Sequence, residues 1–475
     1  MRPPARATRP TALPSRTPAA GSDEGPPGRS SRVQVLAFRR QAADILPLVA
    51  AAAIPLIFLH VMYQPSLVFG PATAYGSDIV IILTLLAAVA SGLMFGWERL
   101  AGSRLLWLAI AGLVAVFALS CLYRPFQEVR THLITVSKIG EYALLAPACV
   151  LLFRRAVDLE RFLVVFVAWS AAASAWGLLQ FLGLVNEFDG KRPGQREVSF
   201  IGHESFGAFT GCALLLGLAS LSLGERRRLA WAALPAGGLG VVLDGSISAY
   251  LGVLLATLAV VCVAWRARSV SLRRLLAIAA ILLVVGAGVE AQRGSDVSNY
   301  LSVIGIHASN APESGVETGS QRELLLYIGL RIWEAHPWLG VGFGKSNDRY
   351  QPYLAAARRR YPEDPPLAFP SPAHRWGIQN FWLQLLADTG IPGFLLGLAV
   401  FAAGALGALR AFARNRLVAL LALGWILVAA GTWTAIGIVA GIPLDAVTFL
   451  GLGLAAAAGW IGEPGESGAT LPARS

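Results

Sequence analysis

Long apolar runs alternate with short polar breaks through most of the chain, falling at 43–63, 77–96, 104–122, 133–153, 162–183, 204–223, 229–243, 246–265, 275–291, 381–408, 417–440 and 443–461. Most approach the roughly twenty residues that an α-helix needs to cross the hydrocarbon of a bilayer. The pattern predicts an all-α polytopic membrane protein of about twelve transmembrane helices. The weakest spans are 229–243, short and Gly-rich, and the pair between 417 and 461. Two segments interrupt the rhythm. Residues 1–40 are rich in Pro, Ser, Gly and Arg without apolar periodicity, which predicts a disordered tail. With that tail ahead of it and no evident small-residue cleavage site, the first run reads as a retained span and not a removed signal peptide. Residues 292–379 form a loop of nearly ninety residues, after which spans ten to twelve occupy 380–461 and a second short tail occupies 462–475.

Within the long loop, Leu325, Ile328, Ile332 and Trp333 recur at helical spacing, so Arg322 to Ala335 reads as an amphipathic helix. His336, Pro337 and the turn-rich GVGFG at 340–344 follow it, and then a basic, Pro-rich segment from Arg358 to Pro372. A compact loop of this length with aromatics and a helix favours a functional role. The chain returns to apolar sequence through QNFWLQLLADTGIPGFLLGL at 379–398. That stretch opens with Gln379 and Asn380, carries Asp388 in an otherwise apolar run, and breaks at Gly390, Pro392 and Gly393. A polar, aromatic-rich half-helix feeding a span fits a site at a membrane surface, and an interfacial helix without chemistry fits the same residues.

Composition agrees with the pattern. Of 475 residues 55% are hydrophobic and only 14% charged, with mean hydropathy +0.60, against about 25% charged in a soluble domain. Cys121, Cys149, Cys212 and Cys262 lie far apart inside apolar runs, without the spacing of metal ligands or of a disulfide framework. The net charge of +11 raises the question of a nucleic-acid partner. With the N-terminal tail taken as cytoplasmic, however, the short inner loops hold fifteen arginines and the short outer loops five basic residues. That bias is the positive-inside rule with both termini cytoplasmic, so the charge reports topology and no nucleic-acid partner is expected. The long loop then lies on the outer face.

Positive charge on that face runs against the bias. It gathers at Lys191, Arg192, Arg196 and His203 between spans five and six, and at Arg322, Arg331, Lys345, Arg349, Arg358 to Arg360, His374 and Arg375 in the long loop. Arginine forks match phosphate oxygens bidentately, as an enzyme acting on a lipid diphosphate requires. The same arginines also fit contact with bilayer phosphates, and Arg358 to Arg360 read as a solvated run. Inside span four, Lys138 and Glu141 lie three apart on one helical face and can pair. Intramembrane charges are treated as functional by default; a proton-coupled transporter would want such a pair, but a neutralised structural pair is the preferred reading. No GxxxxGK[ST] is present, and GVGFG follows a helix where a dinucleotide loop would follow a strand. Neither HExxH nor a spaced Asp cluster indicates a metal, so no cofactor is expected.

Gln379, Asn380, Leu383, Gln384, Asp388, Gly390 and Gly393 stand where the bacterial O-antigen ligase and O-antigen polymerase superfamily has a pattern close to H-N-x-x-L-Q-x-x-x-E-x-G-x-x-G, at the end of a large periplasmic loop. Arg322, followed by His336, Pro337, Trp338, Leu339, Gly340, Gly342 and Gly344, is similar to that family's Arg-led helix ending in H-P-L-x-G-x-G-x-G. Gly202, His203 and Ala208 are similar to its G-[HN]-x-x-x-x-A motif. The resemblance covers about residues 140–400 in order and spacing. It implies metal-free transfer of glycan from an undecaprenyl-diphosphate carrier to a glycan or lipid-core acceptor, at the periplasmic face of the inner membrane, by a polysaccharide polymerase or ligase. A general base would take the acceptor proton while arginines hold the leaving diphosphate. Arg322 is assigned to that clamp by its place in the family pattern, and Arg192 and Arg196 by location, with His203 beside them in the substrate region and Asn380 next to the catalytic position.

Two residues depart from the pattern. Gln379 occupies the place of the family's base histidine, and an amide cannot accept a proton at neutral pH. His374, five residues earlier, takes over if the loop folds it inward; an ordinary exposed histidine is the alternative. Ile247 in SISAYLG stands where the family often has Arg in S-R-G-x-x-x-G. Two other classes stay open. A transporter or flippase predicts broken or charged spans in both halves, but Lys138 and Glu141 have no counterpart in the second half. A non-catalytic member of a polysaccharide assembly complex would explain the missing base.

Overall fold

The computed structural model describes residues 29–70, 72–123, 126–185, 196–225, 228–303, 318–372 and 377–461. The sequence predicts tails over 1–40 and 462–475; 1–28 and 462–475 lie outside the described residues, whereas 29–40 begin the first helix. The chain divides into an N-terminal unit, 1–42, and a body, 43–475.

In chain order the helices are α1 (Arg29–Ile57), α2 (Gly76–Phe95), α3 (Arg104–Ser120), α4 (Phe126–Ala143), α5 (Leu145–Leu152), α6 (Ala156–Phe181), α7 (Ser205–Leu223) and α8 (Arg228–Asp244). They continue with α9 (Ile247–Arg266), α10 (Leu272–Val303), α11 (Thr318–Ala335), α12 (Gln351–Arg360), α13 (Phe381–Ala411), α14 (Arg416–Thr432) and α15 (Pro443–Ala457). Each of the twelve apolar runs coincides with a helix, the fourth being divided into α4 and α5. Nine helical stretches among the described residues are long and apolar enough to cross a membrane; α14 and α15 are shorter apolar helices, and α8 spans seventeen residues. The protein is thus an all-α polytopic membrane protein. Between α1 and α2 it adds an antiparallel hairpin, β1 (Ser66–Phe69) with β2 (Ala72–Tyr75), which leaves Leu67, Val68 and Phe69 exposed.

Small residues let the helices touch backbone to backbone, as membrane bundles require in the absence of a hydrophobic drive between helices. A Cβ on Gly252 of α9 would stand 2.9 Å from the Val428 carbonyl oxygen of α14, and one on Gly237 of α8 would strike the backbone of α7. The glycines that make 229–243 weakly hydrophobic are therefore what seat α8 on α7. Beside this contact, Phe166 packs its ring 4.4 Å from Phe209 and 4.5 Å from Trp425, whose indole donates to the Cys212 carbonyl at 3.1 Å.

Two expectations change. The predicted run 417–440 stops being helical at Thr432, and 433–442 is irregular. Irregular backbone is tolerated in a bundle where protein satisfies it. Here the Trp433 carbonyl accepts from the Phe381 amide at 3.0 Å, and the Ile438 amide donates to Gln384 Oε1 at 2.6 Å. Lys138 also takes a different partner: its Nζ lies 2.8 and 3.0 Å from the two carboxylate oxygens of Asp78 on α2, and 4.9 Å from the Tyr75 ring centre. Asp78 accepts the Tyr75 amide as well, capping α2 at 2.8 Å. A partner sixty residues away displaces the neighbour one turn along, because it joins two helices and closes a helix end.

Lys138→Met should strand Asp78 and lower stability by roughly 2–4 kcal/mol, at the low end for a broken buried pair because Lys138 keeps 20% of its side-chain surface exposed. Adding Asp78→Asn, which keeps the cap acceptor, should recover much of the loss in thermal melts of the detergent-solubilised protein. A double variant that loses the sum of the single effects would contradict the pairing.

Candidate active site

The segment 318–372 folds on a core of its own. Leu324, Leu325, Ile328 and Ile332 of α11 are buried against Tyr350, Ala357 of α12, Phe369, Ile378 just before α13, and Leu383 and Ala387 in its first turns. The helical spacing read from the sequence is therefore the packing face. Tyr361 closes α12 onto α11: its hydroxyl donates to Glu323 at 3.3 Å, and burial, with the Glu323 charge, raises its pKa above the ordinary value.

At the end of α11 the His336 amide donates to the Ile332 and Trp333 carbonyls at 3.1 and 2.9 Å, and Pro337 prevents the helix from continuing. The glycine turn that follows wraps the bend of α13. Gly340, Gly342 and Gly344 all have positive φ, at 63°, 100° and 65°. Val341 and Gly342 donate to the Ala387 and Asp388 carbonyls at 2.9 and 2.8 Å, and the Ile391 amide donates to the Pro337 carbonyl at 2.9 Å. The fully buried Asp388 carboxylate then accepts the Gly344 amide at 2.8 Å, the Ser346 amide at 2.9 Å and Gln384 Nε2 at 3.1 Å. Gly390 leaves helical geometry at φ 67°, ψ −164°, and a side chain on it would overlap the Trp338 carbonyl. The Gly-x-Gly-x-Gly turn and the Asp388–Gly390 bend are two halves of one joint.

A second segment, 196–204, is anchored as firmly. Arg196 Nε donates to the Asp244 carbonyl at 3.0 Å, the Glu197 amide to the Leu243 carbonyl at 2.8 Å, and Ser199 Oγ to the Ala173 carbonyl at 2.7 Å. Val198 and Ile201 are buried. Ser199 and Glu204 have positive φ, 54° and 48°, an arrangement that costs a non-glycine residue about 1–2 kcal/mol. Glu204 sits at the N-cap of α7 but makes no side-chain bond to that helix; its Oε1 lies 3.8 Å from Arg196 instead.

These two segments meet the irregular stretch 435–439 around a cleft of about 330 Å³, lined by Glu204, Arg322, Asn347, Gly377, Ile378, Gln379, Gln384 and residues 435–439. Among the described residues its ionisable groups are one carboxylate, Glu204, and one guanidinium, Arg322, set among three carboxamides. Behind Ile438 and Val439 lies an apolar cavity of about 40 Å³, lined in part by Phe117, Phe381, Phe401 and Trp433.

Of the residues singled out from sequence, the structure brings Arg322 and Gln379 into the cleft. Asn380 is placed beside it as the N-cap of α13, accepting from the Leu383 amide at 2.9 Å and donating to the Thr434 carbonyl at 2.9 Å. Arg196 stands behind Glu204. His203, half-buried, precedes Glu204 without lining the cleft. Arg331, Arg349 and Arg358 to Arg360 are exposed; Arg331 pairs with Glu334 at 2.7 Å and Arg358 lies over Phe369. Lys191, Arg192, His374 and Arg375 lie outside the described residues. Sequence reading missed Glu204, Asn347 and the wall 435–439. The acid directly after Gly202-His203, at the mouth of a span, was the one local signal for Glu204.

Fold and cleft define a multi-pass membrane protein with a polar site built from the segment before α13, the start of α13, the entry of α7 and the irregular stretch after α14. Over residues 230–398, α8 to the bent half of α13, the chain matches the family model described as O-antigen ligase, a match that supports membership of the O-antigen ligase and polymerase superfamily. No curated protein matches it. Arg322, Gln379, Asn380 and Asp388 fall inside the matched residues; Arg196, His203 and Glu204 fall before them.

Asp388→Ala should leave the Gly344 and Ser346 amides unsatisfied in a buried site, at a cost of about 1–3 kcal/mol for each. Limited proteolysis should then cut between 336 and 350 well before any cut in the wild type, with Asp388→Asn intermediate. Equal protease resistance in the Ala variant would mean that the joint does not depend on this carboxylate.

Proposed function

We propose that the chain transfers a glycan from an undecaprenyl-diphosphate carrier to a glycan or lipid-core acceptor at the periplasmic face of the bacterial inner membrane, as a polysaccharide polymerase or ligase. The observation that carries this reading is the position of Arg322: half-buried, inside the family-matched region, in a polar cleft at the exit of the extramembrane segment. A guanidinium presents paired donors to phosphate oxygens and stays charged at any working pH. As the anomeric C–O bond breaks, charge grows on the departing diphosphate, and a fixed cation there stabilises the transition state more than the ground state. The arginine bias of the short loops supports cytoplasmic termini and a periplasmic cleft. Arg196, its Nε held by the Asp244 carbonyl, positions Glu204 and is not a second clamp; Arg192 retains the clamp role proposed from sequence.

The transporter reading drew on an intramembrane charge pair in α4. Lys138 is bound to Asp78, which caps α2, and this accounts for the charge as a structural tie.

Deleting the gene should leave single repeat units on the surface if the protein is a polymerase, or lipid-linked polymer without acceptor if it is a ligase; normal surface glycan would refute both. In vitro, Arg322→Ala should lower transfer on the order of 10²–10³-fold, the loss typical of a removed transition-state donor. Arg322→Lys should restore part of that, since an ammonium keeps the charge and lacks the fork. An Arg322→Ala protein at the wild-type rate would remove the clamp.

A further inference from the structure

We propose that Glu204 is the general base of this site, taking the place left by Gln379. The proposal rests on the glycan-transfer reading above. Of the polar side chains that line the cleft among the described residues, Asn347, Gln379 and Gln384 are amides and Arg322 is a permanent cation, so none of the four accepts a proton at neutral pH. Among the described residues, Glu204 is the one proton acceptor left on that wall.

Three observations show it placed for that work. The N-cap position ordinarily directs an acidic side chain onto the helix amides. Glu204 makes no such bond, and its carboxylate lies toward the cleft and Arg196. Its backbone is held at φ 48°, two residues after Gly202 at φ 107°, where a Cβ would stand 2.8 Å from the His60 ring. Strain of this kind persists where the surroundings over-determine a residue, and it clusters at sites of function. Finally, Arg196 is fixed by the Asp244 carbonyl on one side and faces Glu204 on the other, at 3.8 Å. That distance is too long for a tight ion pair, so the carboxylate is oriented while its oxygens keep room for a hydroxyl.

The step balances within the cleft. The acceptor hydroxyl oxygen bonds to the anomeric carbon, the bond from that carbon to the diphosphate oxygen breaks, and the diphosphate leaves with the electron pair against Arg322. The hydroxyl proton passes to Glu204. The departing diphosphate or bulk water removes it afterwards.

The test uses the full chain in detergent with a lipid-diphosphate-linked glycan and an acceptor, scoring kcat, KM for the donor and the pH profile. Glu204→Gln, nearly isosteric, should lower kcat on the order of 10²-fold or more, with donor KM little changed, because a positioned base contributes roughly 10²–10⁴-fold. The acid limb of the wild-type profile should vanish from the residual rate. Glu204→Asp, also the fallback if Glu204→Gln does not fold, should keep that limb at a reduced rate. A Glu204→Gln enzyme at the wild-type rate, or one whose residual rate keeps the acid limb, would overturn the base; so would a Glu204→Asp enzyme without the limb. A wild-type protein that transfers nothing would instead refute the glycan-transfer reading, and the base with it.

Discussion

The Asp388 carboxylate holds the extramembrane segment to the membrane bundle. It lies fully buried inside α13, one of the nine helical stretches long and apolar enough to span, and it is compensated by two backbone amides of the glycine turn and by Gln384. Burying a carboxylate is expensive unless hydrogen bonds meet it, and two of the three donors here come from a segment more than forty residues upstream. The turn can deliver those amides because its glycines adopt positive φ. The helix can receive them because Gly390 bends it. Neither conformation has a purpose without the other.

That joint sets the cleft. Gln384 donates to Asp388 with one end of its amide and receives the Ile438 amide with the other, so one side chain connects the joint to the irregular wall 435–439. α11 rests, through Ile328 and Ile332, on Ile378 just before α13 and on Leu383 in its first turn, which fixes where Arg322 stands. Glu204 reaches the same space on a segment pinned to α6 and α8. The site therefore gathers an anion and a cation from segments more than a hundred residues apart. The cation suits a departing diphosphate and the anion suits a hydroxyl that must lose its proton.

The sequence shows its long-period signals and hides its short ones. Twelve apolar runs and the Leu325–Ile328–Ile332 face are periodic over many residues, and each is a helix in the structure. Arg322 and Gln379 were legible because they stand in an ordered series of motifs. The hairpin at 66–75 was missed because four-residue strands carry too little alternation to register. Residues 433–440 read as more of a span because WTAIGIVA is apolar, although side-chain hydrogen bonds from α13 hold it out of helix. Lys138 was matched to Glu141 by spacing on one helix, but the partner that matters, Asp78, belongs to another, and a tertiary contact leaves no local trace. Glu204 was hidden for the same reason: its neighbours in the cleft are brought there by folding alone.

On the proposed function, the lipid diphosphate is opened in the cleft between Arg322 and Glu204. The most direct measurement is a structure of the full chain determined with an undecaprenyl-diphosphate-linked glycan bound. The expected result is phosphate oxygens within hydrogen-bond distance of the Arg322 guanidinium and the anomeric carbon facing Glu204. Density for the diphosphate at another surface, with the cleft empty, would contradict it.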